Sequence, residues 1–229
     1  MSNSNVSPEN FTSSIPGILA DGYSRFQSVK LIAQAPTFEA LANGQSPSVM
    51  VISCADSRVD PGAIFDTGPG DLFVVRNVAN LVPPYRVAGA DSDLNFHGTS
   101  AAIEYAVTVL GVQHIVIMGH GGCGGVGACI SAATQDLPFS FVGPWISILD
   151  EARDRVLARA PDASAAEKQR GLEHEGVRQS LKNLQDFPFV ADAIAQRGLQ
   201  LHGAWFSIGD AALHWLSDEQ GFVPIGTAS

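Results

Sequence analysis

The chain is poor in cysteine and in basic residues, and it has no long apolar run. Three cysteines, Cys54, Cys123 and Cys129, stand among 229 residues. An odd number at wide spacing does not build a disulfide framework. No Cys-x-x-Cys pair occurs, which argues against a dithiol redox protein. Sparse cysteine of this kind points to a reducing compartment, and the cytoplasm is the expected location. Lys and Arg number 13 against 23 Asp and Glu, giving a formal charge of -10. Such a surface repels phosphate backbones, so no nucleic-acid partner is expected. No apolar run reaches the roughly 18 residues of a membrane span, so no membrane association is expected either. Residues 1–15 lack the basic start and apolar centre of a secretory signal. No internal repeat or low-complexity segment is present.

What the chain does have is apolar content, 45% of residues with a mean hydropathy of +0.13. For a soluble chain of this size, that suggests apolar surface buried between subunits as well as within one. The Ser/Asn-rich start and the helical spacing of Ile18, Phe26, Val29 and Ile32 describe an N-terminal arm and helix over residues 1–40, packing on a partner subunit. The whole, residues 1–229, reads as a single domain with that arm appended.

Short apolar runs at residues 49–53, 72–75 and 114–118 have the length of buried strands. Between the last two, Ala102, Ile103, Ala106, Val109 and Leu110 repeat at helical intervals, which implies a parallel crossover. Residues 144–160 and 172–184 read as further helices, 199–208 as a last strand, and 211–216 as the start of a final helix. The fold class is therefore α/β, a mostly parallel central β-sheet flanked by helices, with an N-terminal helical arm.

Two chemical motifs follow strands. The first is Cys54-Ala55-Asp56-Ser57-Arg58-Val59-Asp60-Pro61 and the second Gly119-His120-Gly121-Gly122-Cys123-Gly124-Gly125. Imidazole and thiolate are good zinc ligands, and two intervening residues let a tight turn aim both at one ion. Taken alone, the second motif also suits a glycine-rich loop cradling a phosphate at a helix N-terminus. It is not a P-loop, because no Gly-Lys-Ser/Thr follows. Cys54 alone suits a small buried apolar residue, and Asp56 with Arg58 suits a surface ion pair. Read together, they place a thiolate and a carboxylate at one strand end, with an arginine able to grip that carboxylate through two parallel hydrogen bonds. Ligands of open parallel sheets bind beyond the carboxyl ends of the strands, so the distant motifs can meet there.

The strings CADSRVDP and HGGCGG resemble the two signature segments of the β-class carbonic anhydrases. The likeness extends over residues 44–126, including Phe73 to Asn80 and Gly98 to Val107, and returns in residues 175–190. It covers about four fifths of the chain, far more than a chance motif match. The resemblance implies one Zn2+ per subunit held by Cys54, His120 and Cys123, with Asp56 and Arg58 as the catalytic dyad beside it. It implies reversible hydration of carbon dioxide to bicarbonate and a proton by attack of zinc-bound hydroxide. In the plant-like, open-site branch a Gln, a Phe, a Val and a Tyr line the carbon dioxide pocket, and the matching residues here are Gln45, Phe73, Val78 and Tyr105. Gly124 joins them as a substrate-binding residue. In the family Gln, Phe and Tyr come from the partner subunit, so a homodimer or higher homo-oligomer is implied. The bicarbonate-regulated branch has a Trp three residues before the first Cys, where this chain has Val51. One position departs from the pattern: the residue after the ligand His is often Ser, and here it is Gly121.

Two thiolates cancel the charge of Zn2+, so water at such a site is acidified less than at a site of three neutral histidines. Activity rising into the alkaline range is the expectation. The alternatives are a hydrolase acting on carbonyl sulfide or carbon disulfide with the same metal, and a closed structural zinc site with Asp56 as fourth ligand. Cys129, in an Ala-Cys-Ile stretch, reads as core. His97, His114, His174, His202 and His214 lack a paired ligand at metal spacing.

Overall fold

In the computed structural model the described residues are 14–86 and 97–226. They fall into two compact units that divide at Gly44. The first unit is helical: α1 (Gly17–Arg25), a π turn (Phe26–Lys30) and α2 (Leu31–Leu41). Its apolar residues Ile18, Leu19, Tyr23, Val29 and Ile32 are exposed, and none of its helical residues is fully buried.

The second unit is built on a six-stranded sheet of order β2-β1-β3-β4-β5-β6. These strands are β1 (Val49–Cys54), β2 (Leu72–Asn77), β3 (His114–His120), β4 (Gln200–Ser207), β5 (Ala212–Ser217) and β6 (Gly221–Pro224). The first four pair in parallel and the last two antiparallel. β1 and β3 are interior strands and are buried along nearly their whole length, as near-continuous apolar runs require. The mostly parallel sheet is as expected, but its end is not. Residues 211–216 form strand β5 rather than a helix, and a further strand follows. Leu213 and Trp215, two apart on one face, pack with Val51, Val116 and Met118, so this shared apolar face and the free edge of β4 decide the conformation.

Among the described residues seven α-helices accompany the sheet: α3 (Pro61–Ile64), α4 (Gly98–Glu104), α5 (Gly124–Ser131), α6 (Val142–Ile146), α7 (Asp150–Arg159), α8 (Ala165–Gln185) and α9 (Pro188–Arg197). α8 begins earlier than its apolar pattern suggests. Ser164 and Glu167 form a capping box that starts it, their side chains satisfying each other's backbone N–H groups. α8 then lies against β3 and β4, with Val177 filling the space above Gly119 and Gly203. A Cβ at either glycine would come within about 3 Å of Val177, which explains the glycines: they let the helix approach the sheet closely.

This topology sets the site. β2 and β3 lie on opposite sides of β1, so the chain reverses its winding between them. The carboxyl ends of β1 and β3 form the switch-point crevice, with Ser53 opposite Met118. Cys54 closes β1 and His120 closes β3.

Candidate metal centre

At that crevice the sulfur atoms of Cys54 and Cys123 and a ring nitrogen of His120 all lie within 4.8 Å of one another. All three residues are buried, at 5%, 1% and 1% exposure. Cys123 is the N-cap residue of α5, extended at φ -68° and ψ 119°, so the chain turns there from strand to helix. The two sulfurs are 3.9 Å apart. Two thiolates on one tetrahedral zinc, with Zn–S bonds of about 2.3 Å, stand about 3.8 Å apart. His120 Nδ1 lies 3.1 Å from the Gly121 carbonyl oxygen, which can only accept, so Nδ1 carries the proton. In the neutral ring that leaves the lone pair on Nε2, and among the described residues this atom has no hydrogen-bond partner. A buried acceptor without a donor is costly unless a cation meets it. The donor set, the sulfur separation and the tautomer all fit zinc.

The contact with the Cys123 sulfur outweighs burial and holds Cys54 well below the usual thiol range, helped by His120 and the backbone near Asp56 and Ala79. The same contact, followed by burial, pushes Cys123 up. Burial is the largest influence and opposes charge on His120, but Cys54, the Gly121 carbonyl and Asp56 together outweigh it and raise the imidazole. Metal binding requires both sulfurs deprotonated and the imidazole neutral, and so releases protons.

Asp56 sits beside the cluster, with Oδ2 4.0 Å from His120 Nε2. Arg58 grips it: Nε donates to Oδ1 at 2.9 Å, Nη2 donates to Oδ2 at 2.7 Å, and the Arg58 backbone N–H donates to Oδ1 at 3.0 Å. These bonds, side chain first, hold the Asp56 carboxyl far below the usual carboxylate range. Arg58 Nη2 also donates to the Gly122 carbonyl at 3.3 Å, tying the first motif to the second. Arg76 on β2, not singled out from the sequence, fixes the same turn. It donates to the Cys54 carbonyl at 3.0 Å and the Asp56 carbonyl at 2.6 Å, and pairs with Asp60 at 3.2 Å. Asp60 in turn caps α3 by accepting the Ala63 N–H.

The expected pocket residues divide. Val78 lies at the loop: a Cβ on Gly125 would meet Val78 Cγ1 at 2.7 Å. Gly124 opens α5 next to Cys123, and a Cβ there would meet nothing within 4 Å. Phe73 and Tyr105 pair with each other, ring centres 5.9 Å apart. Phe73 is in register with Met50, toward the start of β1, whereas Asn77 is in register with Cys54. They therefore stand away from this chain's own cluster. Gln45 is exposed just before β1. Cys129 is buried among Val126, Ile146 and Leu149, as a core residue is.

Gly121 also finds its reason. A Cβ there would meet Trp205 Cζ2 at 3.1 Å and Cη2 at 3.6 Å. The indole of Trp205 occupies the volume that a side chain at position 121 would need.

Residues 49–213 match the family model described as carbonic anhydrase. Two curated plant relatives, both from Arabidopsis thaliana, are similar. Beta carbonic anhydrase 6, mitochondrial, is 35% identical over 83% of this chain and 64% of its own length. Beta carbonic anhydrase 5, chloroplastic, is 32% identical over 84% of this chain and 62% of its own length. The chain thus aligns with somewhat under two thirds of either relative. Among solved structures, the β-carbonic anhydrase CcaA superposes with a TM-score of 0.82 at 31% identity, covering 90% of this chain and 98% of that one. A tetrameric β-carbonic anhydrase from Sordaria macrospora superposes at 0.72 with 30% identity, covering 87% and 95%. The fold and the cysteine–histidine–cysteine cluster define a zinc-binding α/β protein. The chain belongs to the β-class carbonic anhydrase family. The cytoplasmic location expected from the cysteine content is overturned by the curated relatives, which are a mitochondrial and a chloroplastic protein. Few free cysteines mark a reducing environment and do not specify which compartment provides it. Among the described residues no helix is long and apolar enough to cross a membrane.

Proposed function

We propose that this protein catalyses the zinc-dependent, reversible hydration of carbon dioxide to bicarbonate and a proton. The observation that carries the reading is the convergence of Cys54, His120 and Cys123 beside an Asp56 that Arg58 holds in place. Three protein ligands leave zinc one open position, the mark of a catalytic rather than a structural site. When bound, zinc supplies the Lewis acidity that makes water a nucleophile near neutral pH.

The chain's own groups do the rest. Arg58 keeps both Asp56 oxygens engaged and the carboxylate ionised, which favours an open fourth position over a site closed by Asp56. Asp56 then accepts the hydrogen bond of the attacking water and orients it. Val78 gives the small apolar substrate a wall, and Gly124 offers its backbone at the start of α5 where no side chain intrudes. Gln45, Phe73 and Tyr105 line the site of a partner subunit, which makes a homodimer the smallest active unit. The exposure of Tyr105 at 45% and the exposed apolar residues of α1 support that assembly. The helical part of the arm, residues 14–40, packs on the partner, while residues 1–13 of the expected arm lie outside the described residues.

The test is the initial rate of carbon dioxide hydration before zinc removal, after removal by a chelator, and after zinc is restored. Loss and recovery with zinc support the reading. A rate at background in the zinc-loaded protein overturns it.

A further inference from the structure

Among the described residues Glu173 is the most deeply buried carboxylate, at 3% exposure on α8. Its Oε1 accepts the backbone N–H of Cys123 at 3.1 Å and the Gln169 side-chain amide at 3.1 Å. Its Oε2 accepts the indole N–H of Trp205 at 3.2 Å. The Gln169 amide also donates to the Cys123 carbonyl at 3.3 Å. The peptide groups on both sides of Cys123 are therefore held from one helix. Trp205 completes the clamp on β4, lying against Gly121.

We propose that Glu173 is the positioning residue of the zinc-ligand loop, fixing the Cys123 backbone so that its sulfur stays aimed at the metal. This rests on the zinc reading above. The chemistry demands a carboxylate. Three N–H donors converge on two oxygens, and a carboxylate accepts at both. A glutamine has the same shape but one oxygen and one NH2. Its NH2 must face either the Cys123 N–H with Gln169, or the Trp205 N–H, and donor then meets donor in a buried place. Buried groups that orient a ligand in this way govern how tightly the metal is held; their loss typically costs roughly 10- to 100-fold in metal affinity.

The test is the rate at which zinc-loaded protein releases its metal to a colorimetric chelator, 4-(2-pyridylazo)resorcinol, at neutral pH. Glu173→Gln is expected to release zinc roughly 10- to 100-fold faster than the parent. The thiolate-to-metal charge-transfer band of the cobalt-substituted protein is expected to shift as well. Glu175→Gln on the same helix pairs with Arg159 and Arg178 rather than with the loop, and is expected to leave release unchanged. A role confined to packing α8 on the sheet would lower thermal stability in Glu173→Gln but leave release from the folded protein unmoved. Should Glu173→Gln not fold, Trp205→Phe decides. It removes the donor to Oε2 together with the outer indole atoms that face Gly121, and it is expected to speed release several-fold and to shift the cobalt band, which lost packing alone would not. Parental release rates and an unshifted cobalt band in the folded variants overturn the proposal while leaving zinc binding intact. A parent chain that takes up no zinc overturns the zinc reading, and this proposal with it.

Discussion

Gly121→Ser restores the residue more usual after the ligand histidine, and it is expected to destabilise this protein. The new Cβ meets Trp205 Cζ2 at 3.1 Å, so the indole must retreat by a few tenths of an ångström. Trp205 has little room. Its N–H is bonded to Glu173, and its ring packs edge-on against His174 at 5.0 Å and against His214 at 5.3 Å. Gly121 is not among the glycines with positive φ, so the backbone accepts serine and the cost is steric. Overpacking of this kind costs about 1–3 kcal/mol. For a protein of this size, about 2 kcal/mol lowers Tm by roughly 4–8 °C. The assay is thermal unfolding of a double-mutant cycle with Trp205→Leu, which removes the obstructing ring. The serine is expected to cost little in the leucine background. An equal cost in both backgrounds, or no cost beside intact Trp205, would refute the steric argument.

Three other outcomes follow from the same geometry. Arg58→Ala is expected to keep zinc but lose roughly 10- to 100-fold in hydration rate, because Asp56 loses its two side-chain donors and is free to turn toward the metal; metal analysis beside a stopped-flow assay checks it, and full turnover would count against the role given to Arg58. His120→Ala is expected to abolish stoichiometric zinc binding, since it removes the only nitrogen ligand of the cluster, and equilibrium dialysis reads this directly. His174 is expected to contribute to the loss of stability in acid. Burial, then the charges of Arg178 and Arg170, push its imidazole down to about 4. The unfolded chain takes up this proton near pH 6.5 and the folded one only near pH 4, so stability is full above about 6.5 and falls as pH drops toward 4. With the imidazole partly solvated, the loss is about 1–2 kcal/mol rather than the full shift. His174→Phe, which keeps a ring against Phe222, is expected to flatten that part of the urea-unfolding midpoint curve. Parallel curves for variant and parent would exclude His174 as the source.

The sequence made the sheet centre and the ligands readable because both depend on local rules. β1 and β3 are short runs of β-branched and apolar residues, which only a doubly covered strand explains. Cys54, His120 and Cys123 follow strand ends, where the topology collects ligands. The misses share another cause. Ala212 to Ser217 is short enough to suit either helix or strand, and the free edge of β4, formed by residues already paired to β3 on the other side, made it a strand. The early turns of α8 are polar, so only the capping box at Ser164 marked them. Glu173 looks like one more charge on a solvated helix until the fold sets Cys123 and Trp205 against it. Gly121 is a departure without a reason until Trp205, far along the chain, is seen in its place. Contacts between distant segments carry no local periodicity, and the parts of the site that depend on them were the parts that pattern could not reach. The location was misread for a simpler reason: cysteine content reports redox poise and not an address.

The central claim is that two thiolates and one imidazole hold a zinc ion that hydrates carbon dioxide with Asp56 poised by Arg58. The most direct measurement is the hydration rate of fully zinc-loaded protein across pH 6 to 9. The account predicts clear turnover that climbs into the alkaline range, because a zinc neutralised by two thiolates acidifies water only moderately. Turnover already flat below neutral pH, or zinc bound with no hydration at any pH, would contradict it.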